Sequence, residues 1–230
     1  AMPLRINGHT QPRWTVLPVK AGDKIEVDFA THGCRAYLGV AGGFTVPHSF
    51  GSSATVVREQ IGGLNGGKIE AGDVLPCAPS HRCRLLYLPE KQQPRYHSVT
   101  TLRVIPGYQQ GHFSRYQQRR LFSHGYQVSD RSDRMGYRLE GAAIECDVSG
   151  ILSEGICMGA VQIPPDGQPI VLLNDRQTIG GYPKIGSALS LDCARMAQLR
   201  PGDAVHMTPI TPHAAHNALH LARSYYLRQQ

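Results

Sequence analysis

A mainly β protein is predicted, a sandwich or barrel built largely from antiparallel strands. Two observations predict it. Apolar runs of strand length recur along the chain, and 25 Gly and 16 Pro interrupt them at short intervals. Segments with helical spacing are few. With 230 residues and 41% hydrophobic content, the chain is long enough to bury a sizeable core in one large or two small domains.

Along the chain, the expected strands are Lys24 to Phe29, Arg35 to Ala41, Leu85 to Leu88, Leu102 to Ile105, Tyr126 to Ser129, Tyr137 to Leu139, Val161 to Ile163, Ile170 to Leu173 and Ala204 to Met207. Helices are expected at Gly111 to Phe122, as a short turn at Ala194 to Leu199, and at Pro212 to Leu227, where Ala215, Leu219, Ala222 and Tyr226 fall at helical spacing. A short motif occurs three times: Ala21-Gly22-Asp23, Ala71-Gly72-Asp73 and Pro201-Gly202-Asp203, each before a strand-like run. It suits a type II turn with Gly at positive φ, arising either from convergent turn chemistry or from a duplicated barrel. The Pro-, Gln- and His-containing stretch from Pro89 to Ser98 reads as a linker. The expected organisation is a β unit over 1–210, divisible into lobes 1–98 and 99–210, followed by an amphipathic helix over 211–230.

The formal net charge is +7, but Lys and Arg are scattered. The densest group, Arg115 with Arg119 and Arg120, lacks any Gly-aromatic RNA-reading motif around it, so no nucleic-acid partner is expected. No apolar run approaches the roughly 20 residues needed to cross a bilayer, so no membrane partner is expected either. The cysteines Cys34, Cys77, Cys83, Cys146, Cys157 and Cys193 form no C-x-x-C pair, and no charged-then-apolar leader precedes them. Reduced thiols and a cytoplasmic location are the expectation.

The densest functional signal lies between Ile151 and Ile185. An apolar strand there runs into Asn174, Asp175, Arg176, Gln177 and Thr178, then Gly180-Gly181-Tyr182-Pro183. Hydrogen-bonding side chains beside glycines that let a ligand approach the backbone make this a candidate pocket. Ser132, Gln162, Gln177, Thr178, Gly180, Gly181 and Tyr182 are the candidate substrate-binding residues. Asp175, following a strand where partial burial would shift its pKa, is the leading candidate for acid/base or positioning work, with a structural turn aspartate as the competing role. In the loop Ser129 to Arg138, Arg134 has the donor fork to clamp a carboxylate or phosphate while Asp133 orients it; mutual neutralisation of surface charges is the alternative.

Other motifs point less far. Gly62-Gly63-Leu64-Asn65-Gly66-Gly67-Lys68 nearly spells a P-loop, but Ile69 stands where a hydroxyl should hold Mg²⁺, and a Gly-rich hairpin near a site is the better reading. His213, His216 and His220 share one helix face without a carboxylate or Cys, so no metal site is expected. Ser52 and Ser53 lie outside any G-x-S-x-G elbow, and Cys157 reads as packing or as a nucleophile.

Together these segments resemble one family: the C-type subunit of bacterial ATP-dependent 5-oxoprolinase, also described as allophanate hydrolase subunit 2 or as biotin-dependent carboxyltransferase-like. The matching residues are Arg35-Ala36-Tyr37-Leu38, Val40-Ala41-Gly42-Gly43, Gly51-Ser52, Thr55, Gly62-Gly63 and Ala71-Gly72-Asp73. They continue with Ser132-Asp133-Arg134-Met135-Gly136-Tyr137-Arg138-Leu139, Gly159, Gln162-Ile163-Pro164, Gly167-Gln168-Pro169-Ile170, Asp175, Gln177-Thr178 and Gly180-Gly181-Tyr182-Pro183. Order and spacing fit from about residue 15 to 207. Ala54, Met158 and Ile179 stand where the family usually has Ser, Pro and Thr, and an N-terminal Q-D-x-G-R segment usual in the family is not seen before Ala1.

The resemblance implies a cyclophilin-like β-barrel with a few short helices and a C-terminal helix. It implies a protein that opens 5-oxoproline to glutamate with ATP, active together with the A-type and B-type partners of the 5-oxoprolinase complex, with ATP and its Mg²⁺ held either here or by a partner. Arg134 and backbone N–H groups at Gly180 and Gly181 would then stabilise an oxyanion while Asp175 or Asp133 positions water. The alternatives it implies are a biotin-dependent carboxyltransferase domain like that of urea carboxylase, and a non-enzymatic regulator of a histidine kinase inhibitor.

Overall fold

The computed structural model describes residues 2–78 and 84–227, apart from the Tyr226 side chain. Cys83, Tyr226 as a position on the C-terminal helix face, and the last three residues of the helix expected over 211–230 lie outside that description. The chain forms two compact units, one from Met2–Phe29 and Ala36–Pro94, the other from Ala30–Arg35 and Arg95 onward.

The first unit holds strands β1 (Leu4–Ile6), β2 (His9–Gln11) and β3 (Ile25–Val27), in the antiparallel order β2-β1-β3. The rest is turns joined by isolated bridges at Thr15↔Tyr87, Phe44↔Cys77, Ser49↔Ser52 and Val56↔Ile61. Arg35 to Ala41 forms no strand, and Leu85 to Leu88 contributes only the bridge at Tyr87. Tyr37 and Phe50 are each 97% exposed, and among the described residues every hydrophobic side chain of the buried core belongs to the other unit.

In the second unit, β4 (Val99–Pro106) leads through a 3-10 turn at Tyr108–His112 into α1 (Arg115–Ser123). The Ser114 hydroxyl accepts from the Gln117 amide and caps that helix. The chain continues through β5 (Tyr126–Val128), β6 (Gly136–Gly141), β7 (Glu154–Gly155), β8 (Ala160–Gln162), β9 (Ile170–Leu172), β10 (Ile179–Gly180), β11 (Lys184–Ala188), α2 (Ser190–Met196), β12 (Ala204–Pro209) and α3 (Pro212–Leu227). Thr211 caps α3 by accepting from the Ala214 amide, with Pro212 in the first turn, where its missing N–H leaves nothing unpaired.

Seven strands close a barrel in the order β11-β4-β12-β5-β6-β9-β8, with β8 pairing back to β11. Alternation selects its interior. Leu102 and Val104 of β4 are fully buried, while Thr101 beside them is exposed and Arg103 half-buried. Val205, Met207, Leu139, Val161, Val171 and Ile185 join the same core, with Phe113, Leu121 and Met196 supplied from the turn and helices.

The expectation of a cyclophilin-like, largely antiparallel barrel is corrected here. The longest ladder, β4 with β12, is parallel over six pairs from Val99↔Ala204 to Val104↔Pro209, so the barrel is mixed. A parallel pair needs a long crossover, and here the rest of the barrel supplies it.

All three repeated Gly-Asp turns share one geometry. Gly22, Gly72 and Gly202 have φ of 89°, 96° and 87°. Each following aspartate accepts a backbone amide three residues back, at 2.7, 2.7 and 2.8 Å. Two of the three lie in the unit without a buried core, so local turn chemistry accounts for the echo without a second barrel.

Candidate functional site

The loop before β6 and the end of β9 meet through Arg134 and Asp175. Arg134 Nε lies 2.8 Å from Asp175 Oδ2 and Nη2 donates to Oδ1 at 3.1 Å, while the Asp175 amide donates to the Arg134 carbonyl at 3.0 Å. The donor fork of Arg134 is therefore occupied by Asp175. Asp133 Oδ1 accepts the amides of Met135 and Gly136, and the Ser132 hydroxyl bridges the Arg138 amide and carbonyl. These hydrogen bonds shape the loop from within.

A different polar cluster lies outside the barrel. Since Val161 and Val171 point inward, Ala160, Gln162, Ile170 and Leu172 must point outward. Ile156, Ala160, Ile170 and Leu172 form a second small apolar cluster there, beside the two-stranded layer of β7 and β10, whose register is Ile179↔Gly155 and Gly180↔Glu154. Gln162 shares this outer face, pairs across β8 and β11 with Lys184, and is only 4% exposed. A Cβ on Gly180 would stand 3.0 Å from Gln162 Nε2 and from Ile156 Cδ1, so glycine there leaves room for the amide.

Glu154 organises the neighbouring groups. Its Oε1 accepts from the Tyr108 hydroxyl, from Lys184 Nζ and from Gln109 Nε2, the last at 2.8 Å. Gln109 Oε1 in turn accepts the Lys184 backbone amide at 2.8 Å. Hydrogen bonding from Lys184, then from Tyr108, holds the Glu154 carboxyl below its ordinary range, while the bond to Glu154 pushes the Tyr108 hydroxyl up. Glu154 is thus a fixed anion and a weak base, suited to accepting hydrogen bonds rather than to taking protons.

Of the sequence-predicted residues, the structure brings together Arg134 with Asp175, and Gln162 with Gly180. Among the described residues no hydrogen bond or ion pair joins one of these pairs to the other. Gln177, Thr178 and Tyr182 are exposed, and the Thr178 carbonyl accepts from the Ile156 amide as the chain passes beside β7. The Gly181 carbonyl accepts the Ile151 amide at 2.8 Å. Sequence reasoning missed Tyr108, Gln109, Glu154 and Lys184; the available signal was Lys184 directly after Gly180-Gly181-Tyr182-Pro183.

Residues 30–35 are fastened to the turn after α2. Gln198 Oε1 accepts the amides of Cys34 and Arg35 at 3.0 and 2.9 Å, and Arg35 donates to the Tyr137 hydroxyl at 3.1 Å and to the Ala197 carbonyl. Burial raises the pKa of Tyr137, keeping it a neutral donor to the Leu199 carbonyl at 3.2 Å.

The Gly-rich loop at 62–69 does not fit a triphosphate. Cβ atoms at Gly62, Gly63 and Gly66 would come within 2.2, 1.9 and 2.3 Å of Ala54, Thr55 and Gln60, all three glycines have positive φ, and turns rather than a helix follow. Its glycines serve the packing of a hairpin. Among the described residues no three His, Cys, Asp or Glu side chains gather as a metal site, and no helix is long and apolar enough to cross a membrane. Cys193 is buried, and burial pushes its thiol up to about 11; Cys157 is exposed, 3.4 Å from the Ser187 hydroxyl.

The second unit is a closed mixed barrel with helices and a polar cluster on its outer face. The family model for the carboxyltransferase domain, subdomain A and B, matches residues 1–209, and the chain belongs to that family, which takes in the C-type subunits of 5-oxoprolinase. The chain is 39% identical to the C-type 5-oxoprolinase subunit of Escherichia coli over 83% of its length and 61% of that protein's. It is 35% identical to the subunit of the same name from Haemophilus influenzae, over 84% and 62%. The chain therefore spans about three-fifths of these relatives. Urea amidolyase of Kluyveromyces lactis superposes with a TM-score of 0.86 at 24% identity, covering 94% of this chain and 14% of that one, which is a likeness of fold.

Proposed function

We propose that this chain is a carboxyltransferase-type domain of a larger assembly, binding a small amide and presenting it to an activated group delivered by another domain or subunit. The family model covering residues 1–209 carries this reading, and the barrel's likeness to the Kluyveromyces lactis urea amidolyase supports its fold. Biotin, when carboxylated, supplies an activated carboxyl group of that kind. The 230 residues contain no Ala-Met-Lys-Met, so its carrier lies outside them. The carboxamide of Gln162, beside Gly180, would hold the ureido ring of biotin.

This chain's own residues would bind and orient. Gln162 offers a donor and an acceptor side by side, Lys184 and Gln109 fix Glu154 as an acceptor, and the layer of β7 and β10 limits water. Arg134, Asp175, Asp133 and Ser132 hold the neighbouring loop.

A second reading has its own support: both bacterial relatives are named as C-type subunits of 5-oxoprolinase. In it, the same amide site holds the lactam of 5-oxoproline while the A-type and B-type partners bring ATP and Mg²⁺, in the cytoplasm. The test is an omission assay of the assembled components, with and without a biotinylated carrier and with avidin added. Transfer of carboxyl to a small amide that requires this chain and is stopped by avidin is the expected result. Avidin-insensitive release of glutamate from 5-oxoproline moves the assignment to the lactam reading, and complex formation without either turnover moves it to a binding role.

A further inference from the structure

We infer that Arg176 is a recognition site for the carboxylate of a small ligand, at the edge of the seam between the outer face of β8 and β11 and the layer of β7 and β10. The inference goes beyond the amide reading above, since a neutral amide needs no cation there. Arg176 follows Asp175 shortly after β9 and is half-buried. Its Nε donates to the Ile156 carbonyl at 3.2 Å and its Nη1 to the Leu173 carbonyl at 3.4 Å. Ile156 and Leu173 are themselves buried, so these bonds pin the guanidinium beside the small apolar cluster that contains Ile156. Nη2 has no partner among the described residues.

The other charges nearby cancel in pairs. Asp175, its neighbour in the chain, gives both oxygens to Arg134, at 2.8 and 3.1 Å. Lys184 is held by Glu154, whose carboxyl is kept ionised by the hydrogen bonds it accepts. Among the described residues no carboxylate pairs with Arg176, so one positive charge is left over at the edge of the seam. Beside apolar side chains such a charge is poorly solvated, and an incoming anion is held more tightly than in water. A purely structural arginine would spend its donors on carbonyls, as Arg200 does when its Nη2 donates to both Ala30 and Gly33. Arg176 leaves Nη2 open.

The number and shape of the open donors narrow the anion. A carboxylate is planar and carries one negative charge, so it matches a guanidinium edge and balances the single charge left over. A phosphate dianion would need a second cation, and both Lys184 and Arg134 are committed. Because Ile156 and Leu173 already hold the guanidinium, little side-chain freedom remains to be lost on binding. Room is available: Gly155, next to Ile156 and opposite Ile179, has nothing within 4 Å of where a Cβ would stand.

The experiment uses the full 230-residue chain, labelled with ¹⁵N, and follows the Arg176 Nε–H and the Ile156 backbone N–H. Sodium acetate is titrated at constant ionic strength, with acetamide as its neutral isostere. Saturable shifts with acetate are expected, and binding of acetamide should be weaker by about tenfold or more. Arg176→Gln should weaken acetate by a similar factor, while Arg176→Lys, which keeps the charge and loses the fork, should recover part of the loss. If Arg176→Gln fails to fold, the comparison of acetate with acetamide on the unaltered chain decides alone. Equal binding of the two, unchanged acetate affinity in Arg176→Gln, or no saturable shift overturns the proposal. The other source of a carboxylate is an acidic side chain of a partner protein. Loss of complex formation in Arg176→Gln, with no acetate binding by the unaltered chain, would assign Arg176 to that partner and overturn the small-ligand site. Acetate binding through Arg176 with no turnover in the omission assay would overturn the proposed function and leave this site standing.

Discussion

Two polar regions flank β9, and they are built on opposite principles. At one end Arg134 and Asp175 satisfy each other through two hydrogen bonds, and Ser132 and Asp133 spend their oxygens on the loop backbone. On the outer face of β8, Gln162 is more deeply buried than any of these and its amide has no partner among the described residues. A charged pair draws the eye in a sequence, yet a closed pair has little left to offer a ligand. Gln162 is not among the buried side-chain atoms left without partners, so its amide keeps hydrogen-bonding capacity that solvent or a ligand can use.

The largest expected effect on that contrast comes from Gly180→Ala. Its Cβ would stand 3.0 Å from Gln162 Nε2, so the amide must shift, and small-amide binding should weaken by about tenfold, or about 1.4 kcal/mol, as read by titration, with the barrel core intact. Unchanged binding would mean that the amide faces elsewhere.

Acid should act on the seam next. Because the Glu154 pKa is lowered in the folded protein, the stability it contributes is present above its ordinary value of 4.5 and is lost as pH falls through the folded value. Hydrogen exchange at Gly155 and Ile179 should therefore accelerate below that range, and Glu154→Gln should remove this pH dependence.

Arg134→Ala tests the other side. As a half-exposed ion pair, it should cost less than about 1 kcal/mol in urea denaturation, and small-amide binding should stay within about twofold. A tenfold loss of binding would put the ligand at this loop instead. The smallest effect is chemical: exposed Cys77 and Cys157 should alkylate well before Cys193, whose buried thiol is pushed to about 11. Mass spectrometry after brief iodoacetamide treatment reads the order.

Legibility in the sequence followed burial. The runs Leu102 to Ile105, Tyr137 to Leu139 and Ala204 to Met207 were readable because their strands bury one face and expose the other. The third helix was readable at its start, Pro212, from the proline and the helical spacing that follows, and it runs to Leu227, the last described residue. Arg35 to Ala41 has the same apolar look, but Tyr37 and Leu38 are 97% and 61% exposed and no ladder forms. Strand β11 was missed because its one branched residue, the buried Ile185, stands beside Gly186, Ser187 and Ala188; a Cβ on Gly186 would reach 2.5 Å from the Ile105 carbonyl oxygen. The parallel pairing of β4 with β12 leaves no trace in local pattern, since it joins segments about a hundred residues apart.

The site was half legible for a related reason. Gln162 and Gly180 lie in one polar, Gly-rich stretch and were singled out. Tyr108 and Gln109 come from a 3-10 turn, Glu154 from the two-residue strand β7 and Lys184 from the start of the five-residue strand β11, and only the fold brings them together.

Crystals of the protein soaked with 2-imidazolidinone give the most direct test. Difference density in the seam, within hydrogen-bonding distance of both the Gln162 carboxamide and Glu154 Oε2, is the predicted result. Density at the Arg134 and Asp175 loop, with the seam empty, would contradict the account.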